Sequence, residues 1–174
     1  MTRDRDPAGR PRNARPRDGL GRPLDRAAGA GSDTGPGAGS DSGVDRIPDD
    51  LVITGAEAAA LADQLLRDGR PFHAHEVLEA AWKAAPLAER DLWQGLAQIA
   101  VGLTHARRGN ARGAVALLRR GGQRVSGYAG AAPHRIDAAA ISLAASDLAT
   151  RIEAEGLDAA RAELGTVRLA PSGP

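Results

Sequence analysis

Along residues 49–166 apolar side chains recur at three- and four-residue intervals, and strand-like alternation is absent. With abundant Ala and few β-branched residues, this periodicity predicts an all-α chain. A first helix is expected from Gly55 to Arg67, with Thr54 as N-cap, Glu57 completing a capping box and Gly69 as the stop. Pro71 suits the first turn of a second helix, which ends before Pro86. A third runs from Leu87 to Arg108, a fourth from its cap Asn110 to Val125, and a fifth from its cap Asp137 to Glu155. A short sixth occupies Leu157 to Leu164. Short connections between the early helices make neighbours antiparallel, so five to six helices form a compact bundle of antiparallel helical hairpins. Such pairing also suggests a tetratricopeptide-like array, but no repeat of about 34 residues is evident. The third helix is apolar on nearly every face between Leu96 and Thr104, the mark of a central element. Gly102 inside it costs about 1 kcal/mol relative to Ala, and close approach of another helix is the expected compensation.

Composition divides the chain. Residues 1–48 hold nine Gly and six Pro, with nine Arg against seven Asp and almost no large apolar residue. Such a segment buries too little surface to offset the entropy of ordering it, and it reads as a disordered tail. It lacks the apolar stretch of a secretory signal. Residues 49–166 form the helical domain, and 167–174 a flexible C-terminal end. From 49 to 174 there are 14 basic and 15 acidic residues, so no net field draws the domain to nucleic acid or anionic lipid. The absence of cysteine removes disulfide, thiol and Cys-type zinc chemistry. No apolar run is long enough to span a membrane, and a cytoplasmic protein is expected.

The chemistry gathers at His75-Glu76-Val77-Leu78-Glu79-Ala80-Ala81-Trp82. At about 100° per residue, His75, Glu79 and Trp82 fall within roughly 40° of one another on the second helix. His73 and Glu76 lie off that line. The third helix carries its own polar stripe of Gln94, Gln98 and His105 on an apolar body. A buried amide without partners costs about 1–3 kcal/mol, so Gln98 is expected to be hydrogen-bonded. If the two helices pack antiparallel, the stripes meet, and His75, Glu79 and His105 form a set of metal-ligating type. Two histidines and a carboxylate leave open positions on Zn²⁺, Mn²⁺ or Fe²⁺, as hydrolysis requires.

The segment from Phe72 to Arg120 resembles the bacterial and archaeal family known as domain of unknown function 309. His75, Glu79 and Trp82 match its His-x3-Glu-x2-Trp element, and Gln94, Gly95, Gln98, His105, Gly109 and Asn110 match its second element. The resemblance implies an all-helical fold and a motif suspected of metal binding, but no reaction. Thr104 stands where relatives would carry an aromatic residue, implying a smaller wall on any pocket.

Two functional readings follow. In one, a polar pocket between the second and third helices binds a divalent metal and is hydrolytic, with His75, Glu79 and His105 as ligands or acid/base groups and Gln98, Gln94 and Trp82 around them. In the other, the chain is a non-enzymatic helical-hairpin module for a protein or peptide, and the His–Glu pair only fixes helix register. Trp82, Trp93 and Phe72 are expected in the core, and His134 in an exposed Gly/Pro-rich break. Seven arginines lie between 105 and 135 without a carboxylate, but aromatic interleaving is missing. A solvated face neutralised by Asp147, Glu153 and Glu155 on the fifth helix is therefore favoured over a nucleic-acid surface.

Overall fold

Thr54 opens the first helix as its spacing to Glu57 dictates. The Thr54 hydroxyl accepts from the Glu57 amide at 3.3 Å, and the Glu57 carboxylate accepts from the Thr54 amide at 2.8 Å. This capping box starts α1 (Gly55–Arg67), within a computed structural model that describes residues 53–131 and 133–169. The expected disordered tail, 1–48, lies outside the described residues. Gly69, at φ 71°, turns the chain into α2 (Pro71–Ala84), which has proline in its first turn. The third helix begins later than its sequence suggests. Leu87–Glu89 form a 3₁₀ turn, and α3 spans Arg90–Arg107. Asn110 accepts from the Gly113 amide at 2.9 Å and caps α4 (Ala111–Ser126). Asp137 does the same for the Ala140 amide at 3.0 Å, starting α5 (Ala138–Glu155). The sixth helix is a single α-turn, α6 (Leu157–Ala160), continued by a 3₁₀ stretch over Arg161–Gly165. Among the described residues there is no strand, and no helix is long and apolar enough to cross a membrane.

Consecutive helices pack on one another, with α3 innermost. Leu92, Trp93, Leu96, Ile99 and Leu103 of α3 are each at most 1% exposed. Glycine sets how near α4 can come. A Cβ built on Gly121 would lie 2.6 Å from the Gly95 carbonyl oxygen and 3.0 Å from the Ile99 amide nitrogen. A Cβ on Gly102 would meet Leu118 at 3.1 Å, so a neighbouring helix does press on this glycine. The backbones of α3 and α4 are thus in near contact, and the dispersion gained along that seam offsets the propensity cost of helical glycine.

The folded part runs past the boundary expected at 166. Val167 and Leu169 are both 1% exposed. The Leu169 amide donates to Asp63 of α1 at 2.8 Å, and its carbonyl accepts from the Asp137 amide at 3.2 Å. Asp63, itself 2% exposed, also pairs with Arg67 at 3.1 Å and Arg168 at 3.5 Å.

His134 corrects another expectation. It is one-quarter exposed rather than free in solvent, and its Nε2 lies 2.7 Å from Glu89 Oε2. Its ring sits 5.4 Å from that of Trp93 and fills the space a Cβ on Gly55 would need. Both His134 (φ 57°) and Arg135 (φ 61°) adopt left-handed backbone, a cost of about 1–3 kcal/mol each that these contacts offset. Hydrogen bonding from His134, assisted by Trp93, holds the Glu89 carboxyl below the usual carboxylate range against its partial burial. The carboxylate's contribution to stability is therefore present above the unfolded value and lost as pH falls through the folded one.

The α3–α4 seam gives a direct test. Gly121→Ala should destabilise the fold by about 2 kcal/mol despite the better helix propensity of Ala, because backbone atoms must move. Gly127→Ala, where the nearest atom is 3.5 Å away, should be neutral or mildly stabilising. Urea denaturation of the two variants checks this; equal midpoints would remove close packing as the reason for Gly121.

Candidate functional site

A shallow cavity of about 260 Å³ lies where α2, α3 and α4 meet. His75, Glu79 and Trp82 line it from α2, Gln94, Ala97, Gln98 and Val101 from α3, and Leu117 from α4. Five of the residues singled out in the sequence therefore share one concave surface. Two facts of packing bring them together. Arg107, at the end of α3, donates to the Gly69 carbonyl just before α2 at 2.7 Å, which fixes the two helices antiparallel. Gly95 and Gly102 turn one side of α3 to α4, which leaves the Gln94–Gln98 side facing the cavity.

His75 Nε2 stands 3.5 Å from Glu79 Oε2, and the Phe72 ring is tilted against the imidazole with centroids 6.3 Å apart. Burial is the main cause that holds the His75 imidazole below its ordinary value near 6.5. The Glu79 charge works against that lowering, and Lys83 adds to it. Burial thus favours the neutral imidazole, in which one ring nitrogen is a donor and the other an acceptor. Glu79 Oε1 also receives Lys83 Nζ at 2.9 Å. Gln98 breaks the expectation that a buried amide is satisfied: its Oε1 is buried and has no hydrogen-bond partner.

His105 does not join this group. It lies outside the cavity lining, and its Nδ1 is 2.9 Å from the Asn110 side-chain Nδ2 in the α3–α4 turn. The reason is axial rather than angular. Gln98 and His105 share a face, but seven residues separate them by about 10 Å along the helix. Among the described residues, no group of three or more His, Cys, Asp or Glu side chains is arranged to hold a metal ion. Thr104 does not line this cavity either; it is buried and its hydroxyl donates back to the Ala100 carbonyl at 3.0 Å. Trp82 is half-buried at the cavity edge and packs on the core with one side, whereas Trp93 is wholly buried. Neither His73 nor Glu76 lines the cavity.

Sequence reasoning missed Leu117 and Lys83. Lys83 stands four residues after Glu79, the ordinary spacing for a helical ion pair, and was legible on that ground. Leu117 belongs to a helix whose place beside the cavity no local pattern reveals.

Three arginines of the arginine-rich region are engaged with protein. Arg119 forms a two-pronged pair with Glu153, Arg124 meets Asp91 at 2.6 Å, and Arg107 holds the Gly69 carbonyl. A larger hollow of about 490 Å³ between α4 and α5 includes Arg119 and Glu153, whose charges satisfy each other. No buried polar atom in that lining lacks a partner, so the smaller cavity is the better candidate despite its size.

Residues 60–117 match the family model described as Domain of unknown function (DUF309), the family that the His75 and Gln94 motifs resemble. Every residue lining the α2–α3 cavity falls inside that span. No curated protein and no solved structure gives a significant match to the chain.

The environment of His75 sets a spectroscopic expectation. Its ring should titrate below 6.5 by NMR, lower still in Glu79→Gln, where the opposing carboxylate is gone, and higher in Lys83→Met. Because the folded value is depressed, the unfolded chain takes up this proton first as pH falls below about 6.5, and stability falls with it. A His75 midpoint above 6.5 in the wild type would contradict a desolvated imidazole.

Proposed function

We propose that the α2–α3 cavity is a binding pocket for a small polar molecule, with His75 and Glu79 as its proton-handling pair. The observation that carries this reading is the convergence of His75, Glu79, Gln94 and Gln98 on one concave surface, with the Gln98 side-chain oxygen buried and unpartnered. A buried acceptor left open costs about 1–3 kcal/mol, and a ligand N–H or O–H would recover that loss once the Gln98 side chain turns its oxygen toward the cavity. The volume lies below the range of about 300–1,000 Å³ typical of drug-sized ligands, so the molecule is small. A neutral imidazole next to a carboxylate is suited to accept a proton from such a ligand, since the carboxylate stabilises the imidazolium that results.

Binding is a better-supported reading than hydrolysis. Acyl or phosphoryl transfer needs a fixed cation or donor array for the developing oxyanion. The lining holds no Arg, Lys or hydroxyl side chain to supply it. A metal would supply that charge, and His75 and Glu79 would be two of its ligands. His105, the third ligand of the sequence-based set, is committed to the α3–α4 turn, so the residues present do not fit a three-side-chain centre and no metal-dependent step is derived.

Gln98→Leu separates a functional amide from an architectural one. For a ligand site, the substitution should stabilise the free protein by about 1–2 kcal/mol, because a near-isosteric apolar group replaces an unsatisfied one, while any cellular phenotype of the gene is lost. Thermal denaturation and complementation give the two readouts. A destabilised variant would mean that the amide supports the fold, and the reading would fall.

A further inference from the structure

The polar groups around the α2–α3 cavity are unequal in kind. The lining contains a carboxylate, an imidazole and two amides, and no Arg, Lys, Ser, Thr or Tyr. Glu79 only accepts hydrogen bonds, a neutral His75 keeps one lone pair free whichever nitrogen is protonated, and Gln98 Oε1 is an acceptor without a donor. An anion entering here would meet Glu79, whose cationic partner Lys83 lies outside the lining. A ligand rich in N–H donors would find Glu79 and His75 as acceptors, and Gln98 Oε1 as a third once that side chain turns toward the cavity.

The protein itself supplies a stand-in for such a ligand. Lys83 reaches from the exposed rim, 66% accessible, and puts its ammonium 2.9 Å from Glu79 Oε1. An alkylammonium therefore already sits on the carboxylate, held by a flexible stem that can swing into solvent. Trp82 adds an indole surface, which attracts cations, and Ala97, Val101 and Leu117 add an apolar floor.

Resting on the pocket reading above, we infer that the cavity selects a small organic cation, an ammonium or amidinium on a compact apolar body. Its N–H groups displace Lys83 from Glu79 and donate to Gln98 Oε1, with Trp82 beside the charge. Specificity then comes from Glu79, and Lys83 acts as an internal competitor that sets affinity.

The test uses the full chain and four probes that share one ring and differ in charge and donors: benzylammonium, benzamidinium, benzyl alcohol and benzoate. Calorimetry gives affinities, and NMR shifts of the Gln98 side-chain amide, the His75 ring and the Trp82 indole give location. The cations should bind at least about tenfold more tightly than the alcohol or benzoate, the ratio that one charge-assisted hydrogen bond supplies. Glu79→Gln should erase that preference, and Lys83→Met should raise cation affinity several-fold. Benzoate or benzyl alcohol binding as tightly as the cations, with shifts at Gln98, would overturn the cation class and leave the pocket standing. Absence of shifts at Gln98, His75 and Trp82 with all four probes would overturn both. Cation affinity unchanged by both substitutions would also overturn the inference, on wild-type-like spectra that establish the variants' fold.

Discussion

The near contact of two helix backbones at Gly95 and Gly121 is the constraint on which the rest of the molecule depends. With no side chain between them, α3 and α4 approach until the Gly95 carbonyl oxygen stands 2.6 Å from where a Cβ on Gly121 would lie. That contact fixes the rotation of α3 about its own axis. Ile99 and Gly102 then point the same way as Gly95, toward α4, and the Gln94–Gln98–Val101 side is left for α2. A different rotation would bury the glutamines in the seam, where their amides would have neither water nor a cavity to face. The polar pocket is thus a by-product of where the glycines fall.

Much of the architecture was legible because it is locally encoded. Thr54 with Glu57, Asn110 and Asp137 are start signals whose meaning needs only the next three residues, and each caps the helix expected of it. The boundary between α2 and α3 was less legible, since Leu87–Glu89 tighten into a 3₁₀ turn after Pro86 that hydrophobic periodicity does not distinguish from α-helix. The C-terminal end was read as flexible from its Pro and Gly content, while the burial of Val167 and Leu169 depends on partners more than thirty residues away.

The candidate site divides along the same line. A helical wheel reports angle, and angle sufficed to group His75, Glu79 and Trp82 and to put Gln94 and Gln98 opposite them. It does not report level along the axis, which is why His105 shares a face with Gln98 and yet lies at the other end of α3 beside Asn110. His134 is the harder case. Its neighbours Glu89, Trp93 and Gly55 come from three separate stretches, and nothing in a Gly/Pro-rich segment announces that its histidine will be held by them.

The bond from Leu169 to Asp63 spans 106 positions, whereas the helix contacts around it join sequence neighbours. Contacts between neighbours close short loops; a contact of such long range closes a much longer one, at greater entropic cost. Docking the C-terminal segment on α1 therefore carries a larger loop-closure entropy than pairing any two consecutive helices. In a chain that stops short of Leu169, Asp63 has no such amide to receive and keeps, among these partners, only Arg67 one turn away on its own helix.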